Sequence, residues 1–431
     1  MAVSWRPCLR GLVALAAAAL SGCGDDESRA SLLARAAQLP ADASHFAHPP
    51  AAMAATRWPV LFSHAWSRTA DTAFQGDRKQ SGGEYDAYGV KQALEADGVV
   101  VYQPNKVKYA SHEERGRLLY KRCAGATLKE KLCEGDAPVV EDGLHAAMLD
   151  YCASAARRQR HGFASEQACH QGLQFNIICH SQGCPDSRYM MATQVSELSG
   201  RPVYEHVASW TSMAGANKGT AQADFILEML AACVSDQCRS PLLDLAFAVD
   251  EFIGNRALIT DGSRSVVALS TKYMTRTTDM NCDPDGGNCP PGFNARYPLP
   301  EDPAHPIVYQ SFVTEIRDIS HPCYSKDAFF WRVINAREGA NDGNISVTSQ
   351  AFAHYGPGET GGRTPVRVRH VYGDSGDPAK PHPGLNHMAF SSSDVPGLPG
   401  VSCRGEDNSG FAFSRVNLYR NIVAELAGLG L

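Results

Sequence analysis

The chain has 431 residues, 44% of them apolar, and a formal net charge of −6 from 40 basic and 46 acidic side chains. That length supplies a large core, in one α/β domain with insertions or in two domains. The charges are dispersed with no basic block, which argues against a nucleic-acid partner, and beyond the N-terminus no apolar run approaches the ~20 residues needed to cross a bilayer.

Residues 1–22 read as an export signal: Arg6 and Arg10 give a positive start, and Gly11–Leu20 is an apolar stretch of signal length. Leu20-Ser21-Gly22-Cys23 resembles the lipobox of bacterial lipoproteins. There the cysteine is diacylated and becomes the first residue of the mature chain. The resemblance implies Cys23 as a lipid anchor and a membrane as partner, since each buried CH₂ contributes ~0.8 kcal/mol. Gly24 leaves out the aspartate often associated with inner-membrane retention, so an extracytoplasmic address at the outer membrane is expected. Residues 23–48 are small, polar and Ala-rich and read as a tether, followed by one catalytic domain over 49–431.

Pro59–Ser63 is a short apolar run before His64, the pattern of a buried strand. Tyr88–Ala96 reads as a helix and Val99–Tyr102 as a second strand. Residues 121–172 are polar, carry four cysteines, and read as an insertion or cap. Phe175–Cys179 is a third strand, running straight into His180-Ser181-Gln182, and His206–Met213 a fourth. Ala221–Ala232 is an amphipathic helix presenting Phe225, Leu227, Met229 and Leu230. It opens a region, about 220–305, expected to act as a lid, with Pro241–Ala248 a second apolar stretch. Val366–Val371 is a late strand. Strands alternating with helices imply an α/β fold with a mostly parallel sheet.

Fourteen cysteines are present. Cys8 leaves with the signal and Cys23 is taken by the lipid, so an even number remains, as expected of a disulfide framework in an exported chain. The sequence-near pairings are Cys123/Cys133, Cys152/Cys169, Cys233/Cys238 and Cys282/Cys289. The partners of Cys179, Cys184, Cys323 and Cys403 cannot be read. Clustered Cys-x₂-Cys or His-x₃-His spacing is absent, so zinc is not expected.

Cys179-His180-Ser181-Gln182-Gly183 stands where a strand turns into a helix. A nucleophile elbow, G-x-S-x-G, needs small residues around a serine held at a strained turn. Cys179 replaces the first glycine. A serine nucleophile needs a histidine base and an orienting carboxylate, in the order serine, acid, histidine. His206, His305, His321, His354, His370, His382 and His387 all follow Ser181, and position alone does not choose among them.

Several segments resemble the bacterial secreted triacylglycerol lipases of the α/β-hydrolase superfamily. Ala54-Ala55-Thr56-Arg57-Trp58-Pro59, then His64-Ala65-Trp66, is similar to the family's Tyr-Pro strand and His-Gly-Leu loop. Asp86-Ala87-Tyr88-Gly89-Val90 and Arg115-Gly116 match further segments. The elbow, with Ser187-Arg188-Tyr189, resembles Gly-His-Ser-Gln-Gly and its helix. Val207–Thr211, Gly219 and Ala223-Asp224-Phe225 match the strand and helix beyond. Asn341-Asp342-Gly343 resembles the acid motif and Asn386-His387 the histidine motif. These hits occur in the family's order over most of 54–390.

The resemblance implies a Ser181, Asp342, His387 triad, and an oxyanion hole from the backbone N–H groups of Trp66 and Gln182. It implies a lipid or ester substrate, no cofactor, and a folding chaperone among the partners the family allows. Taken alone, Asn-Asp-Gly is also a turn signal. Many such lipases carry a structural calcium. Here Ala389 stands where one ligand is expected and Asp318 is only a loose candidate for another, so no metal is assigned. A short-chain carboxylesterase, a polyester depolymerase or acyltransferase, and an inactive hydrolase-fold lipoprotein are the competing readings.

Overall fold

The computed structural model describes residues 31–74, 89–124, 140–232, 259–275, 292–321, 324, 327–352, 366–372, 384–391 and 413–431. Its strands are β1 (Val60–Ser63), β2 (Val101–Tyr102), β3 (Arg122–Cys123), β4 (Val140–Asp142), β5 (Phe175–His180), β6 (Val207–Met213), β7 (Val308–Val313) and β8 (Arg367–His370). Six of them form one parallel sheet in the order β2-β1-β5-β6-β7-β8, while β3 and β4 make a separate antiparallel pair. Every residue of β1, β5, β6 and β7 is buried. Parallel strands behave so when helices cover both faces.

The main helices are α1 (Val90–Ala96), α2 (His112–Tyr120), α3 (Leu144–Ala153), α4 (Glu166–Gly172), α5 (Gly183–Thr193), α6 (Ala221–Ala232), α7 (Ile259–Leu269), α8 (Ala328–Glu338) and α9 (Arg415–Gly428). The alternation of side chains along β1 shows the two layers. Phe62 packs on Tyr419 of α9, ring centroids 5.7 Å apart. Its neighbour Ser63 faces the other way and donates to the Gly183 carbonyl of α5 at 2.7 Å. On that second face α2 lies close on α5, because Gly116 has no side chain: a Cβ there would stand 2.6 Å from the Asp186 carbonyl. A parallel sheet sandwiched between helices, with a strand–turn–helix at residue 181, is the α/β-hydrolase architecture, as expected.

Three segments can be placed more closely. The first is 121–172, read as an insertion. Two of its helices pack into the body: Leu144, Ala147, Met148, Tyr151 and Cys152 of α3 and Cys169 of α4 belong to the main apolar cluster. The second is the tether. Residues 31–37 are helical, and the segment after them is docked on the body. Ala43 donates to the His370 carbonyl at 2.8 Å, and the His370 N–H to Ala41 at 2.7 Å, so this segment covers the open edge of β8. Phe46 is buried, and Arg35 donates to the Leu429 carbonyl at 3.1 Å. Only 23–30 of the expected tether lie outside the described residues.

The third is the expected lid helix, whose bounds match α6 and which rests on α8. Phe225 packs edge-on to Phe329 at 5.8 Å, and Glu228 holds Arg337 of α8 by two bonds of 2.7 and 3.0 Å. Asp224 accepts from the backbone N–H of Thr271 at 3.1 Å. Pro241–Ala248 lies outside the described residues. Cys152 and Cys169 are bonded as expected, tying α3 to α4. Cys123 is also disulfide-bonded. The remaining expected pairs fall wholly or partly outside the described residues. A further bond, Cys179–Cys184, was not expected. Among the described residues no helix is long and apolar enough to cross a membrane.

Candidate active site

Between β5 and α5 the chain turns on Ser181, whose φ of +54° lies in the left-handed region. For a residue with a side chain that costs roughly 1–3 kcal/mol and persists only when the surroundings enforce it. They do so here. The Ser181 N–H donates to the Met213 carbonyl at the end of β6 (3.1 Å), and the Ser181 carbonyl accepts from Ala216 (3.2 Å) and Cys184 (3.1 Å). Gly183 is required by contact: a Cβ there would meet the Ser63 carbonyl at 2.2 Å.

Beyond β7, Asn341-Asp342-Gly343 forms the expected turn, with Gly343 at φ +94° and its N–H bound to Asn341 Oδ1 at 2.9 Å. The turn buries Asp342 completely. Oδ1 accepts from the N–H groups of Asn344 (3.0 Å) and Ile345 (2.7 Å), and Oδ2 lies 2.7 Å from Nδ1 of His387. The His387 backbone N–H also reaches the Asp342 carbonyl at 2.9 Å. A carboxylate holding Nδ1–H leaves Nε2 of a neutral imidazole as its free base, the tautomer a general base requires.

The histidine turn is pressed against the elbow by His180, the residue before Ser181. Its Nε2 lies 3.1 Å from the His387 carbonyl, and the two rings are 4.7 Å apart. Burial, then repulsion from His387, hold the His180 imidazole well below its ordinary pKa, so it is a neutral Nε2–H donor. From the other side α9 holds the same turn. Arg415 Nε donates to the Ala389 carbonyl at 2.7 Å and Tyr419 to that of Phe390 at 2.8 Å. Thus Ala389 has no side-chain oxygen and its carbonyl is engaged by a guanidinium. Asp318 closes a local turn on Ser320.

Sequence reasoning missed what lies under the elbow. Asp186, in the first turn of α5, is wholly buried, and so are its partners. Lys106 Nζ stands 2.8 Å from Asp186 Oδ2, 2.8 Å from Ser63 Oγ and 3.0 Å from the His64 carbonyl. Arg115 Nε donates to Asp186 Oδ2 at 2.7 Å, and its Nη2 to the carbonyls of His64 (2.8 Å) and Ala65 (3.0 Å). His112 Nδ1 lies 3.3 Å from Asp186 Oδ1. Burial alone would raise the Asp186 carboxyl, but Arg115 and Lys106 reverse that and hold it well below the usual range. Burial brings Lys106 down to about 7 against the pull of Asp186.

This cluster fixes the loop after β1. His64 is neutral, its pKa driven down by burial and then by Lys106 and Arg115. Its Nδ1 lies 3.0 Å from the Ala65 carbonyl, while its Nε2 accepts from the Lys106 N–H at 2.9 Å. Because a trans peptide sets C=O and N–H in opposite directions, binding the Ala65 carbonyl to Arg115 points the Trp66 N–H away from the ionic cluster. The Trp66 indole is half-buried, edge-on to Tyr109 at 5.1 Å. Gln182, the other expected donor, caps α5, where the first N–H groups have no partner one turn back. Its side chain reaches the Ala110 carbonyl at 2.9 Å, away from this role.

Among the described residues, Glu205, Asp302 and His305 are the one group close enough to share a metal ion. The Arg201 guanidinium already occupies their midst, 2.5 Å from Glu205 Oε2 and 2.7 Å from His305 Nε2.

No known family profile matches the chain, and no curated protein matches its sequence. Solved structures with a similar trace include a metagenomic carboxyl esterase, 12% identical, with 88% of this chain and 78% of that one covered and a TM-score of 0.45. Staphylococcus hyicus lipase is 15% identical, covers 89% of this chain and 98% of its own, and gives 0.44. EstA from Clostridium botulinum is 11% identical, covers 93% and 97%, and gives 0.44. Likeness of this degree assigns no activity to this chain.

Proposed function

We propose that this chain is a serine hydrolase of carboxylic esters with apolar acyl groups. The observation that carries the reading is the buried Asp342–His387 pair pressed against the strained Ser181 turn. His387 Nε2 takes the proton of Ser181 Oγ as the oxygen attacks the ester carbonyl. Asp342 stabilises the imidazolium. The N–H groups of Trp66 and Gln182 receive the oxyanion, a contribution of ~3 kcal/mol per donor in such sites. His387 returns the proton to the departing alcohol, and a water then repeats the sequence on the acyl-enzyme. Polyester depolymerisation or acyl transfer would use the same residues.

p-Nitrophenyl esters of increasing acyl length test this directly. Turnover is expected with all soluble members and a rise with chain length; no hydrolysis of any member would end the proposal. A plain esterase, with α6 remaining on α8, is the second reading. A sharp rate increase when substrate passes from monomers to an emulsion would decide for the lipase.

Cys23 is proposed as the lipid-bearing residue. Cys23→Ser is expected to move the protein from the membrane fraction to the soluble extracytoplasmic fraction. Unchanged membrane association on fractionation would refute it.

A further inference from the structure

Cys179 and Cys184 are joined to each other across the turn that carries Ser181. Their Cα atoms are 4.9 Å apart, they are five positions apart in sequence, and both are wholly buried. One is the penultimate residue of β5; the other lies in the first turn of α5. The bond therefore closes a small covalent ring around the nucleophile turn itself, at the point where backbone is held at φ +54°. It also uses the one position at which this elbow departs from the G-x-S-x-G pattern. A glycine at 179 would give room but no restraint; a cysteine gives a restraint.

We propose that the Cys179–Cys184 disulfide is a positioning device for Ser181, and that its reduction slows acylation reversibly without unfolding the protein. This rests on the reading of Ser181 as the nucleophile. Attack geometry is sensitive to displacement: about 1 Å of misplacement costs of the order of a hundredfold in rate. Hydrogen bonds tie the turn to Met213, Ala216 and Ser63, and one joins the Cys184 N–H to the Ser181 carbonyl inside it; the bridge ties its two ends to each other covalently. In the reducing step a dithiol thiolate attacks one sulfur and the Cys179–Cys184 bond breaks. The second thiol of the reagent then closes its own ring. Two electrons and two protons end on Cys179 and Cys184, and the dithiol is oxidised to its cyclic disulfide.

The test uses the full mature chain and four proteins: wild type, Ser181→Ala, the Cys179→Ala/Cys184→Ala pair, and the Cys152→Ala/Cys169→Ala pair. Each is assayed for kcat and KM on a soluble ester, for the rate of labelling by a fluorophosphonate probe, and for Tm. The elbow pair is expected to keep KM within about twofold while kcat and labelling rate fall by about ten- to a hundredfold. The 152/169 pair, which removes the bridge between α3 and α4, is expected to lower Tm with kcat unchanged. Wild type and the 152/169 pair are each titrated with dithiothreitol and the opened bridges are assigned by peptide mass after alkylation; activity should fall and recover in step with the Cys179–Cys184 thiols in both proteins, an arm that decides even if the elbow pair does not fold. An elbow pair that labels and turns over like wild type, or full activity in wild type with both thiols alkylated, would overturn the proposal. Labelling or activity retained by Ser181→Ala would instead overturn the nucleophile assignment on which it rests.

Discussion

Ser181→Ala is expected to cut ester hydrolysis by about 10⁴- to 10⁶-fold while leaving the fold intact. What holds the turn is the Ser181 backbone, bonded to Met213, Ala216 and Cys184. Alanine can take up the same left-handed φ at comparable strain, so unfolding free energy should change by less than about 1 kcal/mol. His387→Ala should be similarly severe, and the double variant scarcely worse, because the members act as one unit. Steady-state kinetics with urea unfolding on the same preparations checks both halves. Residual activity within tenfold of wild type would remove Ser181 from the mechanism.

Asp186→Asn is expected to have the opposite profile, a large loss of stability. Among the described residues its carboxylate is the anion paired with two wholly buried bases, Lys106 and Arg115. Removing one partner of a buried pair leaves an uncompensated charge and costs about 3–5 kcal/mol. The pH dependence has a definite sign. The Asp186 pKa is lowered on folding, so its contribution is fully present above the ordinary carboxylate range and is lost as the pH falls below it. Adding Lys106→Met to Asp186→Asn removes one orphaned cation and should recover part of the loss in a double-mutant cycle. Chemical denaturation measures this, and a loss under about 1 kcal/mol for Asp186→Asn would contradict the charge bookkeeping.

How much of this was legible beforehand depends on range. β1 and β5 were readable as short, mostly apolar runs, and β6 was read despite Ser209, Thr211 and Ser212. β7, with Gln310 and Ser311 at its centre, was not read. They are tolerated there because Gln310 bonds Thr211 Oγ1 at 3.0 Å and Ser311 bonds the Gln350 carbonyl. Ser181, Asp342 and His387 carry no common period, and only a resemblance over several ordered segments singled them out. Lys106 and Asp186 are 80 residues apart and look like any dispersed surface charges until the fold brings them together. The Cys179–Cys184 pairing was hidden for a related reason. Cys179 read as a blemish in a glycine pattern, and only the tightness of the turn shows that its partner is five residues away.

The docking of 31–48 on β8 and α9 sets a limit of scale. If Cys23 carries the lipid, the eight peptide steps from it to residue 31 reach at most about 29 Å, since an extended chain gains no more than ~3.6 Å per residue. The hydrolase body would then be confined to a shell of that depth beside the bilayer. Substrate lipids in the same leaflet would meet it at a high effective concentration, fixed by the leash and independent of how dilute the enzyme is in the bulk. Lengthening the chain between 23 and 31 would dilute that encounter without touching any residue of the site.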